Sequence, residues 1–153
     1  MLGTKRDFDD PSATQLSVFL PNRIGQLRDL LRELDQAGLE LQALSVLDSS
    51  DFAIVRLVVD KAETARLALE RRGLPVSCGR ILIVDLPDET KGLQKLCQCL
   101  IRGEVNIHHV YPLLRRPHGV AAVVVHAEDV PLAAELLQKD EFRLVADEEL
   151  AGG

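Results

Sequence analysis

The spacing of apolar residues along the chain alternates between the period of a β-strand and that of an α-helix. Leu16, Val18 and Leu20 occupy every second position, as in a strand with one buried face. The next apolar residues recur at the spacing of one helix face: Leu27, Leu30, Leu31 and Leu34. Two later apolar runs, 39–47 and 54–59, flank a short polar insert, a pattern typical of a β-hairpin.

A second helix is predicted directly after the hairpin. Asp60 is expected to cap this helix, with Glu63 completing a capping box. Arg71 and Arg72 fall at its predicted end, where cations complement the negative pole of the helix dipole. A strand at 74–78 completes this half of the chain, whose order of elements is therefore β-α-β-β-α-β.

The second half repeats this pattern at an offset of 66 residues. Leu16 and Leu82 each begin a segment that reads Leu-x-Val-x-Leu-Pro. Without a gap, Ile54 and Val58 fall on Val120 and Val124. The repeat predicts strands at 80–86, 105–113, 120–126 and 142–145, and helices at 92–102 and 129–139.

Two successive units of this kind predict both the fold class and the domains. The order β-α-β-β-α-β is the ferredoxin-like arrangement, an antiparallel sheet that carries both helices on one face. We predict an α+β chain of two tandem ferredoxin-like units, at 14–79 and 80–150, after a flexible N-terminal tail at 1–13.

The predicted strands carry apolar residues on both faces. In 80–86, Leu82 and Val84 share one face, whereas Ile81 and Ile83 share the other. A sheet that is apolar on both faces needs a second cover, unless these side chains are ordinary surface residues. We therefore expect the two units, or two copies of the chain, to pack together, and we expect a homodimer.

Composition and charge exclude several classes of protein. Apolar residues make up 46% of the 153 residues, with one tyrosine and no tryptophan, so an aliphatic core is possible. The net charge is −6, and neither a basic stripe nor an aromatic stacking platform is present, which argues against nucleic acid. No apolar run is long enough for a membrane helix. The polar N-terminus and the three cysteines favour the reducing cytoplasm.

No group of residues has the spacing of a catalytic or metal site. Cys97 and Cys99 are two positions apart on a predicted helix, and His108 and His109 are adjacent on a predicted strand. The members of each pair should therefore point in different directions. Phosphate-binding, hydrolase and zinc-protease motifs are absent. We expect no cofactor, no metal and no enzymatic activity.

The loop between the first strand and the first helix is the best candidate for binding. It contains Asn22, Arg23, Ile24 and Gly25, and Gln26 follows it. A helix N-terminus presents backbone N–H groups and the positive end of the helix dipole, which suit a carboxylate. A glycine would let a ligand approach the backbone, although it also fits an ordinary turn.

Three segments of the first half resemble the ACT domain family. They are Pro-Asn-Arg-Ile-Gly-Gln-Leu at 21–27, Ala-Gly-Leu-Glu-Leu-Gln-Ala-Leu-Ser at 37–45, and the hairpin at 48–60. Over 16–150 the chain looks most like small standalone bacterial proteins that consist of two ACT domains. The resemblance implies the ferredoxin-like fold, side-by-side pairing of domains, amino acid binding at the interface of the pair, and regulation of an enzyme.

The resemblance also implies which residues contact the ligand. The family loop usually reads Asn/Asp-x-Pro-Gly, which Asn22 and Gly25 match, with Ile24 in place of proline. The family's second strand often reads Val-Asn-Ile, as 105–107 does. An amino acid or similar small carboxylate is therefore expected to contact two sets of residues: Asn22, Arg23, Ile24, Gly25 and Gln26 of the loop, and Asn106, Ile107 and His108 of the strand.

Departures from the family pattern leave a second interpretation open. In the second half Lys91 stands where glycine is common, and in the first hairpin Ala53 replaces a glycine. The favoured interpretation is a non-enzymatic regulatory protein that binds an amino acid. The alternative is a module for protein interaction and assembly without a small-molecule ligand. Binding of a free amino acid distinguishes the two.

Overall fold

The computed structural model describes residues 10–21 and 24–152. The strands in these ranges are β1 (Ala13–Pro21), β2 (Leu41–Asp48), β3 (Phe52–Val59), β4 (Val76–Asp85), β5 (Ile107–Pro112) and β6 (Ala122–Ala127). The helices are α1 (Gln26–Gln36), α2 (Ala62–Arg71), α3 (Thr90–Arg102), α4 (Val130–Lys139) and α5 (Asp147–Gly152). The predicted α+β fold class with tandem ferredoxin-like units is confirmed.

The chain divides into two compact units. The first unit comprises 14–79 and 111–115, and the second comprises 80–110, 116–152 and the described residues 10–13. The division expected from the sequence placed 111–115 in the second unit and 10–13 in a flexible tail. Each unit therefore includes a short segment from the other half of the chain.

In the first unit, β3 is the central strand of an antiparallel arrangement. Leu57 of β3 lies opposite Leu16 of β1 and opposite Leu44 of β2. Every second residue of these strands packs against α1 and α2 in one buried cluster. The cluster includes Leu16, Val18, Val55 and Leu57 of the strands and Leu30, Leu34 and Leu69 of the helices. Leu30 and Leu34 are one helical turn apart, so the apolar stripe predicted for α1 faces this core.

The segment 111–115 belongs to the first unit because it hydrogen-bonds to β1 and β2. The N–H of Leu114 donates to the carbonyl of Gln42 at 2.8 Å. The hydroxyl of Tyr111 donates to Oε1 of Gln15 at 2.6 Å in a buried hydrogen bond. Burial raises the pKa of Tyr111 far above its ordinary value, so the hydroxyl keeps the proton that it donates.

The second unit has the same arrangement. β4 pairs with β6, with Leu82 opposite Val125, and β6 lies next to β5. The predicted strand at 142–145 runs beside β4, where the N–H of Asp85 donates to the carbonyl of Arg143 at 2.9 Å. This segment forms only an isolated β-bridge with β4. α3 and α4 cover a core that includes Leu82, Val84, Leu96, Leu100, Val123, Val125 and Leu137.

The pairing of the strands corrects the ungapped alignment of the two halves. Leu16 lies opposite Leu57 in the first unit, whereas Leu82 lies opposite Val125 in the second. The offset is therefore 66 residues for the first strand of each unit but 68 for the third. The longer connection between β5 and β6, at 113–121, absorbs the difference. The true counterparts of Ile54 and Val58 are Ala122 and His126.

The capping box predicted at Asp60 is wrong. α2 begins at Ala62, and its N-cap is Lys61. Oδ1 of Asp60 instead accepts from the N–H of Glu40 at 2.9 Å, and the N–H of Asp60 donates to the carbonyl of Glu40 at 3.2 Å. Asp60 therefore links the end of β3 to the residue before β2, and this contact between distant residues replaces the local cap.

The two strands predicted at 74–78 and 80–86 form the single strand β4. Gly79 at the expected break does not have a positive φ, so the backbone stays extended. The C-terminal helix α5 was not predicted. It is short, and its only buried side chain is that of Leu150, which provides no helical periodicity in the sequence.

Gly103 marks close packing between α3 and α4 and generates a prediction. A Cβ at this position would lie 2.3 Å from Cδ1 of Leu136. We predict that Gly103→Ala lowers the free energy of unfolding by about 1 kcal/mol, because Leu136 must move to admit the methyl group. Urea unfolding measures the loss. Gly79→Ala is the matched control, since a Cβ there meets nothing within 4 Å. Equal stability of wild type and Gly103→Ala would contradict the prediction.

Candidate functional site

The predicted binding loop leads into α1 through a glycine in a left-handed conformation. Gly25 is the N-cap of α1 and has a φ of 87°. Its carbonyl accepts from the N–H of Asp29 at 3.0 Å, which is the first hydrogen bond of the helix. Side chains are strained at such a φ, so the backbone itself requires glycine here. Asn22 and Arg23 lie outside the described residues.

The N-terminus of α1 has backbone donors available. The first N–H groups of a helix have no acceptor within the helix, and no described side chain caps α1. Gln26 is half-buried and Ile24 is fully exposed beside it. This end of the helix can therefore take an anionic group, and the positive pole of the helix dipole favours the same charge.

The predicted strand residues Asn106, Ile107 and His108 belong to the second unit, whereas the loop residues belong to the first. The carbonyl of Asn106 already accepts from the N–H of Glu128 at 2.9 Å. The side chain of Ile107 packs against the core of the second unit. Asn106 and His108 are both exposed, so their side chains are more accessible than that of Ile107.

Three imidazoles lie close together in the second unit. The ring of His126 is 5.1 Å from that of His108 and 4.7 Å from that of His109, measured between centroids. Although His108 and His109 are adjacent on β5, both of their rings therefore lie close to that of His126. Within the described ranges, no cluster of three or more histidine, cysteine or acidic residues could hold a metal ion.

Each unit has a cavity beside its first helix. The cavity of the first unit has a volume of about 480 Å³, and that of the second unit has a volume of about 730 Å³. Both volumes lie in the range of small-molecule sites. Repeat-equivalent residues line the two cavities: Leu20 and Leu86, Gln26 and Gly92, Asp29 and Lys95, Arg71 and Lys139.

The charges of the two cavities are arranged differently. In the first unit, Glu33 of α1 pairs with Arg72 at 3.3 Å. In the second unit a pair of opposite polarity lies further along the helix, since Arg102 of α3, three positions beyond the repeat counterpart of Glu33, pairs with Asp140 at 2.7 Å. The same backbone framework therefore presents an acidic helix face in one unit and a basic helix face in the other.

A buried carboxylate and an imidazole meet at the wall of the second cavity. Asp85 is 4% exposed, and its Oδ2 lies 2.5 Å from Nδ1 of His118. The other ring nitrogen of His118, Nε2, contacts the carboxylate of Glu149 on α5. Oδ1 of Asp85 is also buried and has no hydrogen-bond partner among the described residues. The first unit has Phe19 at the position equivalent to Asp85.

The two carboxylates control the charge of His118. Burial alone would lower its pKa, but the hydrogen bonds to Asp85 and Glu149 outweigh burial. The pKa of His118 is therefore raised above its ordinary value of 6.5. Sequence analysis missed this cluster because its three members are far apart in the chain. Two differences between the halves of the sequence could have indicated it: an aspartate, Asp85, at the repeat counterpart of Phe19, and the longer hairpin connection in the second half.

The three cysteines are free thiols, and they suggest no chemistry. Cys99 is buried and its Sγ donates to the carbonyl of Leu136 at 3.4 Å. Cys97 packs against the core of the second unit. Burial raises the pKa of the Cys99 thiol. Partial loss of solvent also raises the pKa of the Cys78 thiol, although Cys78 as a whole is exposed. Both thiols therefore stay protonated and weakly nucleophilic. None of the helices within 10–21 and 24–152 has the length and apolar character needed to cross a membrane.

Several solved structures are similar to this chain. A crystal structure of a protein from Bacteroides thetaiotaomicron has 27% sequence identity and a TM-score of 0.83, and the match covers 92% of this chain and 96% of that one. The regulatory subunit of aspartate kinase from Thermus thermophilus, in a ligand-free form, has 17% identity and a TM-score of 0.60. That match covers 85% of this chain and 93% of the subunit.

The regulatory subunit of aspartate kinase from Thermus flavus shares the fold at 15% identity, with a TM-score of 0.55. Its match covers 82% of this chain and 90% of the subunit. No curated protein matches the chain. The family model of the ACT domain pair matches residues 12–152. The resemblance noted in the sequence is therefore confirmed, and the chain belongs to the ACT domain pair family.

Proposed function

We propose that this chain is a regulatory protein that binds an amino acid, or a similar small carboxylate, and has no enzymatic activity of its own. The N-terminus of α1 carries the proposal: Gly25 turns the backbone at a φ of 87°, and no described side chain caps the helix. Membership of the ACT domain pair family supports it. Among the similar structures, two are regulatory subunits of aspartate kinase.

The carboxylate of the ligand would accept hydrogen bonds from the N–H groups of Gly25 and Gln26. These groups lie at the positive pole of α1, where an anion is stabilised by both the dipole and the free donors. Asn22, Arg23 and Ile24 complete the proposed loop. The amide of Asn22 could contact the polar groups of the ligand.

The ammonium group of the ligand would contact Asn106, Ile107 and His108 from a paired ACT domain. The carbonyl of Asn106 accepts from Glu128, but a carbonyl has two lone pairs and retains one for a second donor. The exposed side chain of His108 could contact the rest of the ligand and contribute to selectivity.

The corresponding helix end in the second unit is a poor carboxylate site. The N-cap of α3 is Glu89, with a φ of 52°, where α1 has glycine. The carboxylate of Glu89 would repel an anionic ligand, and Lys91 would crowd the loop. We therefore assign the ligand to the loop of the first unit alone.

A regulatory protein of this kind acts through a partner, and we propose that the partner is an enzyme. The described residues include no metal cluster, and the raised pKa values of Cys78 and Cys99 make these two thiols weakly nucleophilic. The free state of all three cysteines fits the proposed cytoplasmic location, because thiols stay reduced there.

An apolar patch in the first unit favours a second candidate function, assembly without a small-molecule ligand. Phe19 and Leu47 both lie opposite Ile54, on the face of the strands away from α1 and α2. The ring of Phe52 is 6.1 Å from that of Phe19. Phe19, Leu47 and Phe52 are all exposed, and exposed apolar patches commonly mark interaction surfaces. The same patch supports the proposed homodimer.

We predict that at least one free amino acid stabilises the protein in a thermal-shift screen. A ligand at 100 times its Kd adds about 2.7 kcal/mol to the free energy of unfolding. Calorimetry should then give saturable binding for the same compound. No binding of any amino acid would contradict the proposal and favour the assembly module.

Glycine substitutions at the two ends of α1 test the location of the site. Gly25→Ala and Gly38→Ala should each lower the free energy of unfolding by about 1 kcal/mol, because the φ values are 87° and 76°. Only Gly25→Ala should weaken ligand binding, since Gly38 lies at the opposite end of the helix. Equal affinity of the two variants in calorimetry would contradict the site assignment.

We predict a homodimer at micromolar concentration, detected by sedimentation velocity. Phe52→Glu should shift the protein toward the monomer, because the charge would be buried at the apolar patch. Ile101→Glu, at an exposed apolar residue of α3 in the second unit, is the control and should leave the dimer intact. A monomeric wild-type protein, or equal dissociation of both variants, would contradict this prediction.

A further inference from the structure

Contacts at the start and in the middle of α5 hold this helix in the second unit. Near its start, Nη1 of Arg80 donates to Oδ2 of Asp147 at 3.1 Å, and Nη2 of Arg80 donates to Oγ of Ser12 at 2.7 Å. In the middle of the helix, Leu150 is buried and Glu149 contacts His118. A helix of this length has little intrinsic stability, so its order depends on these contacts.

We propose that His118, Asp85 and Glu149 form a proton-dependent clasp, which holds α5 when the imidazole is protonated and releases it when the imidazole is neutral. Each ring nitrogen of His118 faces a carboxylate oxygen. Carboxylates only accept hydrogen bonds, and a protonated imidazole has two N–H donors, whereas a neutral one has one. Both contacts can therefore form together only on the charged ring.

The contact with Glu149 is the one that breaks on deprotonation. Asp85 is buried, and its Oδ1 has no hydrogen-bond partner among the described residues, so loss of the His118 donor would leave a buried charge unpaired. The side chain of Glu149 is 42% exposed and can be hydrated instead. The remaining proton therefore stays on Nδ1, and the lone pair of Nε2 repels Glu149.

Release of Glu149 also affects the start of α5. Its second oxygen, Oε1, accepts from the N–H of Ala146 at 3.3 Å, immediately before the helix. The N–H groups of Glu149 and Leu150 both donate to the carbonyl of Ala146. Movement of the Glu149 side chain thus removes two contacts of this short helix, one with His118 and one with the N–H that precedes the helix, whereas the Arg80–Asp147 pair and the burial of Leu150 remain.

The charges that act on His118 come from two neighbouring elements. Asp85 faces it from β4 and Glu149 faces it from α5, and both favour the protonated ring. Arg116 lies in the same turn, and Asp88 and Arg143 line the cavity that His118 also lines. The ferredoxin-like fold does not require the cluster of His118, Asp85 and Glu149, because the first unit has Phe19 at the position equivalent to Asp85.

The direction of the pH dependence follows from the raised pKa of His118. A group whose pKa is higher in the folded state stabilises that state fully below its unfolded value of 6.5. This stabilisation is lost as the pH rises through the folded-state value. The clasp is therefore closed in mildly acidic solution and opens as the solution becomes alkaline.

Amide hydrogen exchange followed by NMR tests the clasp, with rates corrected for the intrinsic effect of pH. Between about pH 5.5 and pH 8.5, the amides of Glu149 and Leu150 should lose about tenfold in protection relative to those of α4. The imidazole resonances of His118 should titrate with the same midpoint as this loss of protection. Unchanged relative protection of α5 across this interval would overturn the proposal.

Three variants separate the clasp from other effects of pH. In Glu149→Gln, the amide NH2 can donate to the Nε2 of a neutral His118 ring, and the amide carbonyl can accept from the Nε2–H of a charged ring. The protection of the α5 amides in this variant should therefore not depend on pH. His118→Gln retains the other three histidines and should also lose the dependence. Asp147→Asn should lower protection by the same factor at every pH, because the ion pair that it removes, with Arg80, does not involve the imidazole. A wild-type pH profile in His118→Gln would overturn the proposal.

Discussion

The burial of aliphatic side chains between strands and two helices is the interaction on which each unit depends. Only 3% of the residues are aromatic, and apart from Cys99 the buried residues of the two cores are leucine, valine and alanine. Full burial of one leucine side chain contributes about 2 kcal/mol, so residues such as Leu34, Leu57 and Leu100 dominate the stability of the chain. The helix ends and loops can vary only to the extent that these contacts are preserved.

This division between core and periphery explains how two units with the same framework have different charged residues and different loop residues. The cores of the two units contain equivalent residues, such as Leu57 and Val125. Outside the cores the two halves of the repeat have diverged. The N-cap residue of α1 is Gly25, whereas that of α3 is Glu89. Duplicated domains that share a core are free to specialise at their loops, where binding residues are commonly found.

The features that could be predicted from the sequence are those that depend on local periodicity. The helical stripe containing Leu30 and Leu34, the hairpin around 48–51 and the tandem repeat all rest on regular spacing. The contact of Asp60 with Glu40, and the shift that makes Ala122 the counterpart of Ile54, depend on partners distant in sequence. Local pattern carries no information about such partners.

The candidate sites show the same limit. The Gly25 loop was identified from its place before a predicted helix and from the resemblance to ACT domains, and the positive φ of this residue agrees with a helix entry that needs glycine. His118 lies in an irregular turn, where no periodicity marks a residue as buried. Its role depends on Asp85 and Glu149, which approach it from other elements. A single sequence cannot show that convergence.

The exchange of short segments between the halves has a consequence for synthesis of the chain. The first unit includes 111–115, so it cannot be completed when Gly79 leaves the ribosome. Until Leu114 arrives to pair with Gln42, part of the edge of β2 remains without a partner, and unpaired edges promote association with other chains. Domains usually fold in the order in which they are made, but here the first domain must wait until about half of the second has been translated.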